Sequence, residues 1–435
     1  MRIVLILPHD STYRYKTGTF NKSLRYPPIT LTTLAGLVPN DIKADIQIID
    51  EGVEELPGDL QADLVGISAV TATAPRAYYL ADMLRKRNIT VVLGGVHPTI
   101  LPEEAAKHAD SVVVGYAEDN WPRLLRDFKV NKLQKFYYSN QEVKLDHLPL
   151  PRRDLLKKEL YLTVNTIMAT RGCPNHCRYC SIPIVRQGQY YKRPVEDVVN
   201  EIKNMGGKRF IFLDPNPNED IEYATRLYEA LIPLGINWVG LTTIRITKNK
   251  QLLDLAVKSG CFGLLLGFET ISQTALCQSQ KDFNSVAEYK DMVKRLHDKD
   301  ISVLGCFMFG FDSEDKTTFE RTFEFIDKTG IDLLRYTVFT PFPGTKVYDD
   351  FIRDGRIIET NWQLYDYEHV VFKPAKMTPQ ELMDGVEWIW KKTYSVNSIL
   401  KRLGNTKFSH LENVIYNLGF RHHALTLNKG HNAGK

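Results

Sequence analysis

The sequence predicts an α/β protein built from two successive series of strand–helix units and a helical C-terminal extension. Three observations predict it. Short, nearly continuous Ile/Val/Leu strands alternate with helical segments from the first residue to about 130. The same rhythm resumes between about 161 and 350. Beyond that, helical and aromatic stretches replace it. Strands apolar along their whole length belong to parallel sheets covered on both faces, because a strand with one wet face alternates polar and apolar residues. At 435 residues the chain exceeds one ordinary domain. The expected divisions are a first domain over 1–130, a linker over 131–160 holding Leu148-Pro149-Leu150-Pro151, a second domain over 161–350 and a helical region over 351–435.

In the first series, strands are expected at Arg2–Leu7, Asp45–Asp50, Asp63–Ser68, Thr90–Gly94 and Ser111–Gly115. Helices are expected at Ile29–Val38, Pro75–Arg87, Glu103–His108 and Trp121–Phe128. This spacing gives a flavodoxin-like, doubly wound parallel sheet, which takes ligands at the carboxyl ends of its strands. Those ends read Pro8-His9, Ser68-Ala69-Val70-Thr71, Gly94-Gly95-Val96-His97-Pro98 and Gly115-Tyr116-Ala117-Glu118. Glycine there lets a bulky ligand approach the backbone. The candidate contacts are Pro8, His9, Ser68, Val70, Thr71, Gly94, Gly95, His97, Gly115 and Glu118.

The second series has six strand-like segments: Thr166–Thr170, Arg209–Asp214, Asn237–Thr243, Gly263–Phe268, Ile301–Phe309 and Leu333–Phe339. Helical patterns such as Val195–Met205, Ile221–Leu231 and Thr317–Lys328 separate them. The first strand runs into Cys173-Pro174-Asn175-His176-Cys177-Arg178-Tyr179-Cys180. Thiolates suit iron–sulfur clusters, and a tight loop can bring three of them to one cluster. A complete cubane usually takes four cysteines, and no fourth is close in sequence, so one iron is left for another ligand. Zinc sites usually space their ligands in two separated pairs, and a ferredoxin needs the fourth cysteine.

This triad resembles that of radical S-adenosylmethionine (radical SAM) enzymes. Upstream, Tyr26-Pro27-Pro28-Ile29-Thr30-Leu31, Ala62-Asp63-Leu64-Val65-Gly66-Ile67-Ser68 and Leu93-Gly94-Gly95-Val96-His97-Pro98-Thr99 resemble the cobalamin-binding domain of the B12-dependent members. The resemblance extends over about residues 1–400. It implies that the second series is a partial (β/α)6 radical SAM barrel, with a [4Fe–4S] cluster on Cys173, Cys177 and Cys180. The open iron would chelate S-adenosylmethionine, whose reductive cleavage gives a 5′-deoxyadenosyl radical. Tyr179 would lie beside the adenine, and Asp214 and Asn216 near the amino end. Thr242, Thr243 and Arg245 would face the carboxylate, and Glu269 and Thr270 would be further polar contacts. Asp214 or Glu269 could instead cap a helix or form an ion pair. The chain lacks the Asp-x-His-x-x-Gly signature of other B12 proteins, so the lower axial ligand is open. A domain that keeps the fold without cobalamin is the competing reading.

A net charge of +4 without a basic stripe argues against nucleic-acid binding. The mildly basic tail (Lys401, Arg402, Lys407, Arg421, Lys429, Lys435) reads as a solvated end. No run approaches the ~18 apolar residues of a membrane span, and the first strand stops at Pro8, too short for a signal peptide. A cytoplasmic location with reduced thiols is expected, with Cys261 and Cys306 buried small hydrophobes and Cys277 the best candidate for an exposed thiol, none of them catalytic. Phe342, Trp362 and Tyr365 are the candidates for a substrate pocket, ordinary packing being the alternative.

The reaction implied is methylation of an unactivated carbon of a small molecule or lipid. One S-adenosylmethionine would supply the radical and another the methyl group carried by cobalamin. An external one-electron donor such as flavodoxin or ferredoxin would reduce the cluster. Ring closure, rearrangement or transfer of another group remain open, as does a non-catalytic sensor or electron carrier. With no cysteine before Cys173 to hold a second cluster, methylthiotransfer to RNA is disfavoured.

Overall fold

The computed structural model describes residues 1–9, 27–139, 143–161, 165–185, 188–403 and 410–431; Tyr26, Lys407 and Lys435 lie outside them. The first sheet contains β1 (Arg2–Leu7), β2 (Asp45–Asp50), β3 (Leu64–Ser68), β4 (Thr90–Gly94), β5 (Ser111–Val114) and β6 (Phe136–Tyr138). All are parallel, in the order β2-β1-β3-β4-β5-β6. The order reverses between β1 and β3, which is where such sheets open a crevice. Ile3, Leu5, Val65, Val91 and Leu93 are fully buried, so both faces are covered, as continuous apolar strands require.

Strand β6 lies in the stretch read as linker. It has three residues and follows Lys132 and Lys135, so no apolar run announces it; its place is set by pairing with Val112–Val114 and by the buried Tyr137, whose hydroxyl donates to Asp127 at 2.8 Å. The segment after Val143 runs between the two domains, its His147 N–H donating to Asp197 at 3.0 Å and its Arg153 pairing with Glu201 at 2.6 Å. Its Leu150 carbonyl comes so close to Gly36 that a Cβ there would sit 2.7 Å away. Arg152 N–H donates to the Thr32 carbonyl at 2.9 Å, and Tyr161 donates to the buried Asp50 at 3.1 Å.

The second sheet contains β7 (Thr166–Ile167), then, after a hairpin of β8 (Thr170–Gly172) and β9 (Tyr190–Lys192), β10 (Arg209–Phe212), β11 (Asn237–Thr242), β12 (Cys261–Glu269), β13 (Ser302–Phe309) and β14 (Leu333–Val338). Six parallel strands run in the order β14-β13-β12-β11-β10-β7, with β8 and β9 antiparallel outside them. The single strand expected over Thr166–Thr170 is thus divided: two residues belong to the sheet, and the chain then turns into the hairpin that brackets the cysteine loop. Along β11, Trp238, Gly240 and Thr242 are buried while Asn237, Val239 and Leu241 are half-buried, so alternate residues point to the helices and to the lumen. The helix Pro379–Thr393 starts with a capping box, Thr378 and Glu381 each accepting from the other's backbone N–H. It packs on β14, where Tyr394 donates to the Leu334 carbonyl at 2.6 Å. Among the described residues no helix is long and apolar enough to cross a membrane.

Candidate cluster and cofactor site

Cys173, Cys177 and Cys180 are free, half-buried thiols between β8 and the short helix Ile182–Val185. The loop is braced at several points. Cys180 N–H donates to the Cys177 carbonyl at 3.0 Å, Arg178 N–H donates to the Ser279 carbonyl at 3.0 Å, and the Arg178 guanidinium pairs with Asp350. The three sulfurs lie within electrostatic reach of one another. Amide groups of Asn175 and Asn216 donate to the Cys173 sulfur at 3.3 and 3.8 Å. Burial pushes the Cys180 thiol up to about 12 and Cys177 in the same direction, so iron would displace protons on binding. Among the described residues no three Cys, His, Asp or Glu side chains converge on a single ion. A cubane asks for something else, because each thiolate takes its own iron.

The strand ends of the second sheet surround this loop. Asp214 is fully buried, and its Oδ1 accepts from Ala169 N–H at 2.9 Å, from Thr170 N–H and from the Thr170 hydroxyl at 2.7 Å. Burial nevertheless raises its pKa to about 6. Asp214 therefore holds the chain that leads into the cysteines. Its other oxygen, Oδ2, and the Asn216 oxygen are buried acceptors without a hydrogen-bond donor among the described residues. The Asn216 amide donates to Glu219 at 2.7 Å, and Arg245 reaches both oxygens of Glu219 at 2.8 and 2.9 Å while covering the Phe283 ring. The Thr242 hydroxyl accepts from Asn218 at 2.7 Å and donates to the Thr243 carbonyl at 3.4 Å.

Glu269 ends β12 with φ +64, a left-handed conformation that non-glycine residues adopt mainly where surroundings impose it. Its carboxylate pairs with the buried Lys281 and lies within reach of the Tyr179 hydroxyl. Burial works against the Lys281 ammonium, but Glu269 and the thiols of Cys177 and Cys180 outweigh it and hold its pKa above the usual value. Thr270 is committed: its hydroxyl donates to Glu314 at 2.6 Å and accepts from Ser272 N–H at 3.1 Å. Glu314, 2% exposed, also accepts from Gly310 and Phe311 N–H at 3.0 and 3.2 Å.

At the ends of the first sheet, Val70 is 46% exposed beside the half-buried Ser68. Gly95 has φ +99, and a Cβ there would sit 2.7 Å from the Ala69 carbonyl oxygen, so the ends of β3 and β4 lie flush. The Ser68 hydroxyl also lies 2.9 Å from where a Gly95 Cβ would sit, so the two strand ends close on each other beside the exposed Val70. Pro8 is buried, and His9 N–H donates to Glu51 at 3.3 Å. Gly115, at φ +87, donates its N–H to Thr99 at 3.0 Å. His97 is fully buried with both ring nitrogens engaged, Nε2 donating to Glu104 at 3.2 Å and Nδ1 accepting from Thr71 at 3.4 Å, so neither is offered to a metal. Glu118 forms an ion pair with Arg171, two residues before Cys173.

The two sets of loops touch. A Cβ on Gly344, in the turn after β14, would lie 2.9 Å from Ile100 of the first domain and 3.4 Å from Ile184 beside the cysteine loop. Phe342, Tyr365 and Val371 form a small apolar cluster against Tyr348 and Trp362. The Trp362 indole N–H donates to Glu104 at 3.1 Å, so this expected pocket residue is anchored on the opposite domain.

The family model of the radical SAM superfamily matches residues 167–326, and that of the B12-binding domain matches residues 22–125. The chain belongs to the cobalamin-binding radical SAM enzymes. Bacteriochlorophyllide d C-12(1)-methyltransferase of Chlorobaculum tepidum is 29% identical, over 86% of this chain and 84% of that protein. Hopanoid C-2 methylase of Rhodopseudomonas palustris is 24% identical, over 82% and 71%. The structure of the radical S-adenosylmethionine methyltransferase TsrM from Kitasatospora setae, with cobalamin and a [4Fe–4S] cluster bound, superposes with a TM-score of 0.64 at 14% identity, covering 81% of this chain and 75% of that one.

The cofactors of this radical SAM enzyme are a [4Fe–4S] cluster, S-adenosylmethionine and cobalamin. The residues present fit all three. Three thiols with amide donors on one sulfur suit a cluster. The Asp214 and Asn216 acceptors, unpartnered among the described residues, suit an amino group, and the buried ammonium of Lys281 beside the cysteines suits a carboxylate. The flush strand ends at Gly94–Gly95, beside the exposed Val70, suit a broad ring. Sequence reasoning missed Glu104, Glu219, Lys281 and Glu314. Only Glu104, seven residues after His97, had a signal: an acid close to a strand-end histidine.

Proposed function

We propose that this enzyme methylates an unactivated carbon of a large, mostly apolar small molecule or lipid, held between the strand ends of its two sheets. The observation that carries this reading is the contact of Gly344 with Ile100 and Ile184, which brings loops from the carboxyl ends of both sheets together beside the cysteines. When bound, the cluster and S-adenosylmethionine supply a 5′-deoxyadenosyl radical, and cobalamin supplies the methyl group.

The chain's own residues bind, orient and exclude water. Cys173, Cys177 and Cys180 hold iron. Lys281 would hold the carboxylate of S-adenosylmethionine, Asp214 and Asn216 would accept from its amino group, and Tyr179 would lie against its adenine. Glu219 keeps Asn216 and Arg245 in place. Ser68, Val70, Gly94 and Gly95 would floor the corrin. Trp362 and the 43% exposed Tyr367 wall the substrate side, while Phe342 and Tyr365, expected there, are buried behind them as packing. That aromatic wall supports a broad ring substrate, as do the relatives named for acting on bacteriochlorophyllide d and on hopanoids. An external one-electron donor such as flavodoxin or ferredoxin reduces the cluster.

The test is anaerobic turnover of the reconstituted enzyme with methyl-labelled S-adenosylmethionine and a panel of tetrapyrroles and polycyclic lipids. Equal amounts of 5′-deoxyadenosine and S-adenosylhomocysteine, with label on the product, are expected. Turnover that makes 5′-deoxyadenosine and leaves the product unlabelled would replace methyl transfer with ring closure or rearrangement.

A further inference from the structure

Residues 358–371 form a loop with a closed neck, a fixed foot and a tip on the other domain. At the neck Ile357 and Phe372 make an antiparallel bridge, Ile358 N–H donates to the Val371 carbonyl at 3.0 Å, and Lys373 N–H donates to the Arg356 carbonyl at 2.8 Å. At the foot the Tyr367 carbonyl, on a residue with φ +69, accepts from Val338 N–H at the end of β14, at 2.7 Å. Inside the loop Tyr365 donates to the Glu359 carbonyl at 2.7 Å. The tip is the turn Trp362–Leu364, which packs on the turn Thr71–Thr73 after β3.

Glu104 is the group that receives this tip. Its carboxylate accepts from Tyr78 at 3.0 Å, from His97 at 3.2 Å and from Trp362 at 3.1 and 3.3 Å. Three elements therefore end on one side chain: the helix Ala74–Arg85, the helix Val96–Ile100 and the C-terminal loop. Burial pushes this carboxyl up, but its three donors outweigh burial and hold it below the usual carboxylate range. The Trp362 ring also meets His97 edge-on at 5.5 Å and Tyr365 at 4.9 Å. His97 and Thr71 are strand-end residues of the first sheet, whereas Tyr365 and Phe342 pack behind the wall beside the second.

We propose that residues 358–371 are a clasp across the domain boundary, with Trp362 as its latch and Glu104 as a positioning residue that fixes the substrate wall relative to the first sheet. This rests on the chamber described under the proposed function. A wall so fixed keeps the substrate carbon in line with both reagents. A wall set loose lets radical formation run ahead of methyl transfer.

The experiment compares Trp362→Phe, Glu104→Ala and Glu104→Gln in the reconstituted holoenzyme. Phenylalanine keeps a ring without the N–H, and glutamine keeps an acceptor oxygen. Hydrogen exchange of the amides of 358–371 should quicken about tenfold in Trp362→Phe and Glu104→Ala, stay near wild type in Glu104→Gln, and leave β10–β14 unchanged in all three. The ratio of 5′-deoxyadenosine to methylated product should rise by roughly the same factor in the first two variants only. Wild-type exchange in Trp362→Phe overturns the proposal, as does quickened exchange with an unchanged product ratio. Should Glu104→Ala fail to fold, Trp362→Phe against Glu104→Gln carries the same comparison. A wild-type enzyme that makes no methylated product would sink methyl transfer, while the exchange result still decides the clasp.

Discussion

Lys281 and Glu269 form a buried ion pair beside the cysteine loop, and the same ammonium acts on the thiols of Cys177 and Cys180. Lys281 lies in the turn after the helix Gln273–Gln278, and Glu269 closes β12, so the pair ties a loop to a strand end. Removing one partner leaves the other charge buried alone. Lys281→Met should lower stability by about 3–5 kcal/mol, read as a drop in the urea midpoint of the cluster-free protein. Replacing both partners by apolar residues should recover much of that loss. A midpoint unchanged in the single variant would show that Glu269 reaches water.

The cysteines act as a set. Alanine at Cys173, Cys177 or Cys180 should abolish the visible absorption of a reconstituted cluster and stop 5′-deoxyadenosine formation, while the thermal midpoint of the first domain stays put. Alanine at Cys261 should spare the cluster, because this thiol is buried in the barrel core.

Glu314 makes stability depend on pH. Burial raises its carboxyl from 4.5 to about 7 against the hydrogen bonds that favour ionisation. A carboxyl raised on folding stabilises the protein fully below its unfolded pKa and loses that contribution as pH climbs through the folded value. Stability should therefore fall by about 3 kcal/mol between pH 4.5 and 7.5 from this group alone. Urea unfolding of Glu314→Gln against wild type at the two pH values isolates it, and parallel slopes would remove Glu314 from the account.

Gly95→Ala tests the flush strand ends. A side chain at φ +99, with a Cβ 2.7 Å from the Ala69 carbonyl oxygen, must push β3 and β4 apart. Corrinoid retained after gel filtration should fall severalfold, with cluster iron unchanged. Loss of both together would mean that the whole chain had unfolded.

Much of the fold was legible because it is written in continuous apolar runs. Ile3–Ile6, Leu64–Ile67 and Val303–Phe309 admit little besides a buried strand, and Cys173, Cys177 and Cys180 declare their chemistry by spacing. Strand β6 was not legible, since Phe136–Tyr138 owes its place to a neighbour rather than to its own pattern. Side-chain direction was also hidden. His97, Glu118 and Thr270 sit at the predicted strand ends, yet each points to an internal partner, Glu104, Arg171 and Glu314 respectively. Lys281 reads in one dimension as a solvated charge, and only packing shows it buried under the thiols. Trp362 was picked for its ring, while its N–H bond to a residue 258 positions away lay beyond any local pattern.

That separation has a consequence for how the protein is made. The first sheet is complete at Tyr138, but the latch that bridges to it emerges much later. With synthesis at roughly 5–20 residues per second, Glu104 waits on the order of ten to fifty seconds for Trp362. During that interval the ends of β3 and β4 stand open on the nascent chain. The first sheet must therefore hold those ends by its own contacts, such as the Ala69 N–H bond to the Gly94 carbonyl at 2.9 Å, until the clasp arrives.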